Sequence, residues 1–406
     1  MLNVLTPDEV IELINQSFED SCGSEELDLL DSLNRVVSSD IVAEEYVPDF
    51  NRSTVDGYAV RAEDTFGCSE SIPAILEVTG EILMGVSAGD ELKMGECRII
   101  PTGGAVPEGA DAVVMIEYTE DYGDGTVGIF KPAAPGMNLI YRGDDVAPGK
   151  VVIKAGHKIK GPDIGALAAL GISKLSVKKK PIVGIISTGD ELVDITEVPA
   201  QGQTRDVNSY TLSAFCTQAG AEPKKYGYII DEEDRLADAL TVALKECDMV
   251  IISGGSSVGT KDATYRVISS RGEMLLHGIA VKPGKPTIMG ICDGKPVIGL
   301  PGHPAAAYYV SEIFVKKIIA ILQGRTTSQR AIRAVLSETV GANHGRTQYS
   351  GVRLREEDGV LYADPIHSKS GLISSLSEAD GYFCIARDEE GVSAGSAIDV
   401  YQFDLD

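Results

Sequence analysis

The chain is short of basic residues: 36 Lys and Arg stand against 61 Asp and Glu, a formal charge of -25. Such a surface repels nucleic acid and anionic lipid, which excludes a general nucleic-acid binder. Any anionic ligand must be received by a local basic pocket working against the field of the whole molecule. No stretch approaches the roughly 18 uninterrupted apolar residues of a membrane span, and the N-terminus has no basic region leading into an apolar one. No membrane partner and a cytoplasmic location are expected. The seven cysteines are scattered, odd in number and never in a C-x-x-C pair, so neither a disulfide framework nor a zinc ribbon is encoded. Five histidines spread along the chain, with no Ser/His/Asp order, leave no histidine metal site or hydrolase triad to be read.

What is present is a globular composition, 43% hydrophobic and 24% charged over 406 residues, long enough for about two to four domains. Thr6-Pro7-Asp8-Glu9 ahead of Val10, Ile11, Ile14 and Phe18 is a capping box with an apolar stripe, predicting a helix that ends near Cys22 and Gly23. From 47 to 153 short alternating runs broken by Gly and Pro predict a small β-rich unit, and 161–170 one helix. Continuous apolar runs at 182–186 and 249–252 read as strands buried on both faces. Helices at 208–218 and 231–246 and a strand at 226–230 complete a β-α-β-α-β alternation, which argues a parallel, doubly wound α/β sheet. In such a sheet ligands bind at the carboxyl ends of the strands. A strand at 295–300, a Pro301–Pro304 turn and a helix over 305–322 close that unit, and the alternating runs beyond it predict a C-terminal β-barrel. The division expected is a linking unit of 1–46 with 146–178, a β-rich unit of 47–145, an α/β domain of 179–326 and a barrel of 327–406.

Several loops carry the chemistry. Ser253-Gly254-Gly255-Ser256-Ser257-Val258-Gly259 follows a strand and opens a helix containing Asp262, a place where amide groups and hydroxyls can cradle an oxyanion. It is neither a Walker loop nor a dinucleotide fingerprint. Lys282-Pro283-Gly284-Lys285-Pro286 sets two ammonium groups on a stretch stiffened by proline. Asp56-Gly57-Tyr58, Thr188-Gly189-Asp190-Glu191 and Arg142-Gly143-Asp144-Asp145 bring carboxylates beside glycines. Singly each is turn chemistry, and together they offer hard oxygen ligands for Mg²⁺ and acid or base groups. Thr102-Gly103-Gly104 adds a hydroxyl loop, and His303 in Pro301-Gly302-His303-Pro304 is read as shaping its turn.

The run Asp49-Phe50-Asn51-Arg52-Ser53-Thr54-Val55-Asp56-Gly57-Tyr58, with these other loops in the same order, resembles the molybdopterin molybdenumtransferase family, which includes the gephyrin E domain. The resemblance covers nearly the whole chain. It implies Mg²⁺-assisted insertion of molybdate into adenylylated molybdopterin with release of AMP. It also implies a homodimer in which one subunit completes the other's cleft, and molybdopterin adenylyltransferase as pathway partner. By matching position, Glu191 and Asp262 bind pterin phosphate and metal, Lys282 and Lys285 face the anions, and Asp56, Asp145, Glu191 and Lys285 are the catalytic set. Asp56, Thr102 and Asp145 reach in from the partner chain, and Arg346 and Ser370 contact molybdate. Ser253, Gly254, Gly255, Ser257, Gly259, Pro301 and Gly302 complete the substrate set. The chain departs from the family with His303 for the usual Asn, Ser256 for Val and Val55 for Met. Three alternatives stay open: a molybdopterin adenylyltransferase, whose single α/β domain resembles residues 180–325, a non-catalytic scaffold like gephyrin, and tungstate as the inserted oxyanion.

Overall fold

The structure is a computed structural model that describes residues 4–230, 232–254, 263–326, 330–342, 345–367 and 371–403. At its centre lies a six-stranded sheet in the order Glu222–Ile229, Ile182–Thr188, Met249–Ser253, Lys295–Leu300, Ile288–Cys292, Gly272–His277. The first four strands are parallel, as the apolar runs require; the last two run antiparallel along one edge, beyond the all-parallel sheet expected from the sequence. Alternation along these strands sorts their side chains onto two faces. Val183, Ile185, Ile251, Ile298 and Leu300 pack under the helices Asn208–Gln218 and Pro304–Val310. Ile186, Val250, Ile252 and Val297 pack under Leu236, Leu240 and Leu244 of Glu233–Glu246 and Val267 and Ile268 of Ala263–Arg271. Covering both faces removes every one of these aliphatic groups from water, about 1.5–3 kcal/mol for each large side chain.

The capping box at Thr6 forms: Thr6 N donates to Glu9 Oε2 at 2.7 Å and Glu9 N to Thr6 Oγ1 at 3.3 Å. The helix runs Pro7–Ser17 and stops short of the expected end because Ser21 and Cys22 donate their amides to the Leu322 carbonyl. Its apolar face, Val10, Ile14 and Phe18, joins the core of the α/β sheet. The chain then crosses to strand pairs, Ser24–Asp28 with Lys174–Lys178 and Ile41–Val42 with Val151–Ile153, over a small core of Val37, Ile159, Leu167 and Val177. Between these pairs, residues 57–129 build a separate six-stranded sheet around Tyr58, Val60, Cys97, Val114 and Ile129.

The helix expected over 305–322 is present but contains a wide π-type turn, Ser311–Val315, between Pro304–Val310 and Lys316–Leu322. Ser311 Oγ donates back to the Ala307 carbonyl at 2.8 Å, a competitor for the regular ladder. In the C-terminal unit the strands Thr347–Glu357, Val360–Pro365, Ala331–Leu336, Ala397–Gln402 and Gly381–Ile385 pair in that order, and the last returns to the first, closing a five-stranded barrel without a free edge. The barrel is tied to the α/β unit by Val281–Lys282, which pairs with Thr347–Gln348, and by edge-to-face contacts of Tyr308 with Phe403 and Tyr309 with Tyr382. Among the described residues no helix is long and apolar enough to cross a membrane.

Candidate functional site

Strand order reverses between Ile182–Thr188 and Met249–Ser253, because the strand that follows the first lies on one side of it and the second lies on the other. Loops leaving the two strands therefore diverge, and a crevice opens at their carboxyl ends. Gly254 holds the crevice floor together. Its φ of +111° suits only glycine, and a Cβ there would stand 2.0 Å from the Thr188 carbonyl oxygen. Its N–H donates to the Leu300 carbonyl at 3.2 Å, and a Cβ on Gly302 would stand 3.6 Å from the Gly254 Cα. Three strand ends thus meet in van der Waals contact.

A cavity of about 530 Å³ lies over this floor, walled by Asp190, Glu191, Arg205, Asp206, Asn208 and Ser253 among others. Asp206 is buried; its Oδ1 accepts from Ser187 Oγ at 2.9 Å and from the Ser209 amide at 3.1 Å, fixing the start of the helix Asn208–Gln218. The Asn208 amide nitrogen donates to Ser253 Oγ at 2.8 Å and to the Gly302 carbonyl at 2.9 Å. Among the described residues the wall is rich in hydrogen-bond acceptors and holds three carboxylates against one guanidinium.

The Pro301–Pro304 turn separates this cavity from a second, of about 630 Å³, and His303 lines both. Here Lys282, Lys285, Arg346 and His367 supply the charge or the capacity for it, and no Asp or Glu lines the wall among the described residues. Lys282 Nζ donates to Gln348 Oε1 at 3.1 Å across the seam between the α/β unit and the barrel. Gly284, with φ +119°, packs so tightly that a Cβ would lie 2.5 Å from Val310 Cγ2; the lysine loop is thereby pressed onto the helix while both lysines stay exposed. Tyr309 closes the floor, its hydroxyl pushed up to about 12 by burial, so it stays a neutral phenol.

The carboxylates of the β-rich unit form a third group. Asp56 Oδ1 accepts from the Thr102 amide at 2.7 Å and from its hydroxyl at 3.0 Å, and these bonds, the amide first, hold the Asp56 carboxyl below its ordinary value. The Arg142 amide donates to Asn51 Oδ1 at 2.9 Å, its guanidinium binds Asp49 at 2.9 Å, and the Asp145 amide donates to the Val47 carbonyl at 3.1 Å. Three motifs distant in sequence therefore share one exposed surface.

Of the residues expected to act, Glu191, Ser253, Gly254 and Gly302 meet in the first cavity. Lys282, Lys285, Pro301 and Arg346 meet in the second. Asp56, Thr102 and Asp145 line neither cavity of their own chain. Gly255, Ser257, Gly259, Asp262 and Ser370, with Ser256, lie outside the described residues; Gly371, next to Ser370, lines the first cavity. Among the described residues no three His, Cys, Asp or Glu side chains gather as a metal centre. Sequence reasoning missed Asp206, Asn208 and Gln348. The first two carry a signal, since Thr204-Arg205-Asp206-Val207-Asn208-Ser209 is a polar run opening a helix after a strand end.

Comparison with known proteins bears on this architecture. Family models match in order the MoeA N-terminal region (domains I and II) over residues 5–171, a probable molybdopterin binding domain over 184–320 and the MoeA C-terminal region (domain IV) over 333–403. The class defined is a multidomain protein built around a molybdopterin-binding α/β fold. A putative molybdopterin biosynthesis protein of Methanocaldococcus jannaschii is 34% identical over 97% of this chain and 95% of its own length. The molybdopterin molybdenumtransferase of Bacillus subtilis is 33% identical over 98% and 95%. The crystal structure of a molybdopterin biosynthesis MoeA protein from Pyrococcus horikoshii OT3 superposes with a TM-score of 0.87 at 32% identity, covering 98% of this chain and 100% of that one. The chain belongs to the MoeA family of molybdopterin molybdenumtransferases, in molybdenum cofactor biosynthesis.

Proposed function

We propose that this chain inserts molybdate into adenylylated molybdopterin and releases AMP. The observation that carries the reading is the pair of adjoining cavities of opposite lining, one rich in carboxylates and neutral acceptors, the other cationic, flanking a single turn. Molybdate and the phosphate groups of the substrate are anions, and in a chain of charge -25 the Lys282, Lys285 and Arg346 cavity is where they are received. The acceptor-rich cavity takes the hydrogen-bond donors of the substrate.

Glu191 offers a carboxylate that suits a Mg²⁺ ion, and Asp262, outside the described residues, is the second ligand that the family resemblance implies. Mg²⁺ is held by one or two carboxylates, with waters and substrate phosphates supplying the other positions, and a dedicated cluster of three side chains is not required. Bound there, the ion would neutralise phosphate charge. Lys285 holds charge that develops as the phosphoanhydride breaks, and Glu191 keeps the metal-facing side of the cavity anionic. Asp56, Thr102 and Asp145 act from a second copy of the chain: Asp56 and Thr102 are preassembled by two hydrogen bonds, and none of the three lines either cavity of its own subunit. The substrate comes from an adenylylating enzyme, a molybdopterin adenylyltransferase. That ATP-dependent supply, together with seven free cysteines of which Cys384 is exposed, supports a cytoplasmic location.

Molybdate-dependent AMP release from adenylylated molybdopterin tests the reading. ATP-dependent adenylylation of molybdopterin without that release would favour an adenylyltransferase, and neither activity a scaffold. Titrating molybdate against tungstate in the same assay decides which oxyanion is used. For the dimer, mixing Asp56→Ala with Lys285→Ala chains should restore activity that each lacks alone; no restoration would confine the site to one subunit.

A further inference from the structure

We infer that Asn208 reads the amine edge of the pterin, its side-chain oxygen accepting a hydrogen bond from the 2-amino group. The inference rests on the proposed reaction and assigns a residue that the sequence reading left out.

The geometry fixes which way the amide points. The group facing Gly302 stands 2.9 Å from a carbonyl oxygen, which can only accept, so it must be the NH₂. The same nitrogen lies 2.8 Å from Ser253 Oγ, and its two hydrogens are both spent. The amide oxygen Oδ1 is left with no donor among the described residues, though Asn208 is only 8% exposed. A buried acceptor without a donor costs stability, and folded proteins leave few of them without a functional reason. Oδ1 has under 1 Å² of its own surface open, so reaching it involves a small adjustment of the cavity wall when the ligand enters.

The chemistry of that wall selects the ligand group. Asn208 belongs to a wall with Asp190, Glu191 and Asp206, all acceptors when ionised, and Oδ1 lies just behind that wall. The N–H groups on the amide and amine edge of a pterin pair directly with these acceptors, whereas a phosphate or molybdate oxygen meets this wall only through Arg205 or a bound cation. Asn208 thus becomes a specificity residue: the ligand pairs an oxygen that the unliganded protein leaves unsatisfied, and a heterocycle with a carbonyl in place of the amine sets oxygen against oxygen. A site built to bond a donor rejects the analogue that lacks it more strongly than an apolar pocket could.

The test compares 6-hydroxymethylpterin with 6-hydroxymethyllumazine, which carries oxygen in place of the 2-amino group, by their inhibition of AMP release and by their own fluorescence on titration with the intact protein. The parent should prefer the pterin by about tenfold or more. Asn208→Leu should lose that preference and raise KM for adenylylated molybdopterin at least about tenfold, with kcat changed less. Asn208→Asp keeps an acceptor and should keep part of the preference, and thermal melting of both variants separates loss of selectivity from loss of fold. Equal binding of the two heterocycles by the parent, binding of neither, or an undiminished preference in folded Asn208→Leu would overturn the inference. Molybdate-dependent AMP release by the parent is read in the same assay, so failure of the proposed reaction is seen separately.

Discussion

The two cavities beside the Pro301–Pro304 turn differ more than their proximity suggests. One is built on the ends of parallel strands, with Asp190, Glu191 and Asp206 on its wall and Gly371 and Ile373 of the C-terminal unit at its border. The other lies on the seam between two units, with its lysines on one side and Arg346 on the other. On the proposed reading, the difference is how an acidic chain accommodates anions. It does not reverse the charge of its fold-determined crevice; it gathers cations where the barrel docks, so that two parts of the chain together make a positive surface that neither provides alone.

The comparison can be broken at several points. Lys285→Ala removes a preorganised charge and should lower the rate of AMP release about 100- to 1,000-fold, with the fold intact by circular dichroism; wild-type turnover would remove the second cavity from the chemistry. Glu191→Gln should fold normally and also lose AMP release, and excess Mg²⁺ should restore more activity to it than to Lys285→Ala. Equal failure to respond would argue against Glu191 as a metal contact.

The shared floor is tested by two glycines. Gly254→Ala drives a Cβ into the Thr188 carbonyl at a strained φ and should cost at least about 2 kcal/mol, seen as a lower Tm. Gly302→Ala meets only ordinary contact at 3.6 Å and should change stability by under about 0.5 kcal/mol. Similar melting curves would mean that the strand ends are not held as described.

The smallest effect concerns the exposed pair of the β-rich unit. The folded-state value of Asp56 is depressed, so the stabilisation from its bonds to Thr102 is present above the ordinary aspartate value and is lost as pH falls through the depressed one. Thr102→Val removes the hydroxyl but keeps the amide donor, and should raise the Asp56 value partway toward normal in an NMR titration. No movement would show that the hydroxyl bond is absent in solution.

Much of this was legible in the residues. The apolar runs at 182–186 and 249–252 and the polar-capped helix at 208–218 located the strand ends at which the crevice forms, because a strand buried on both faces leaves an unbroken hydrophobic signature. The strands Ile288–Cys292 and Gly272–His277 escaped although they pair with near neighbours in the chain, Cys292 facing Lys295 across a tight hairpin, because the β-α-β alternation read upstream pointed to parallel partners only. The early end of the first helix escaped for a different reason: the Leu322 carbonyl that captures Ser21 and Cys22 lies some 300 residues on. The separation of Glu191 from Lys285 by the 301–304 turn could not be read from spacing, nor could Asn208, whose importance lies in one oxygen that only the folded chain leaves without a donor.

Soaking crystals with tungstate and recording anomalous scattering tests the central claim most directly. The heavy oxyanion should lie among Lys282, Lys285 and Arg346. Density beside Glu191 and Asp206, with none near the lysines, would contradict the assignment of charge between the two cavities.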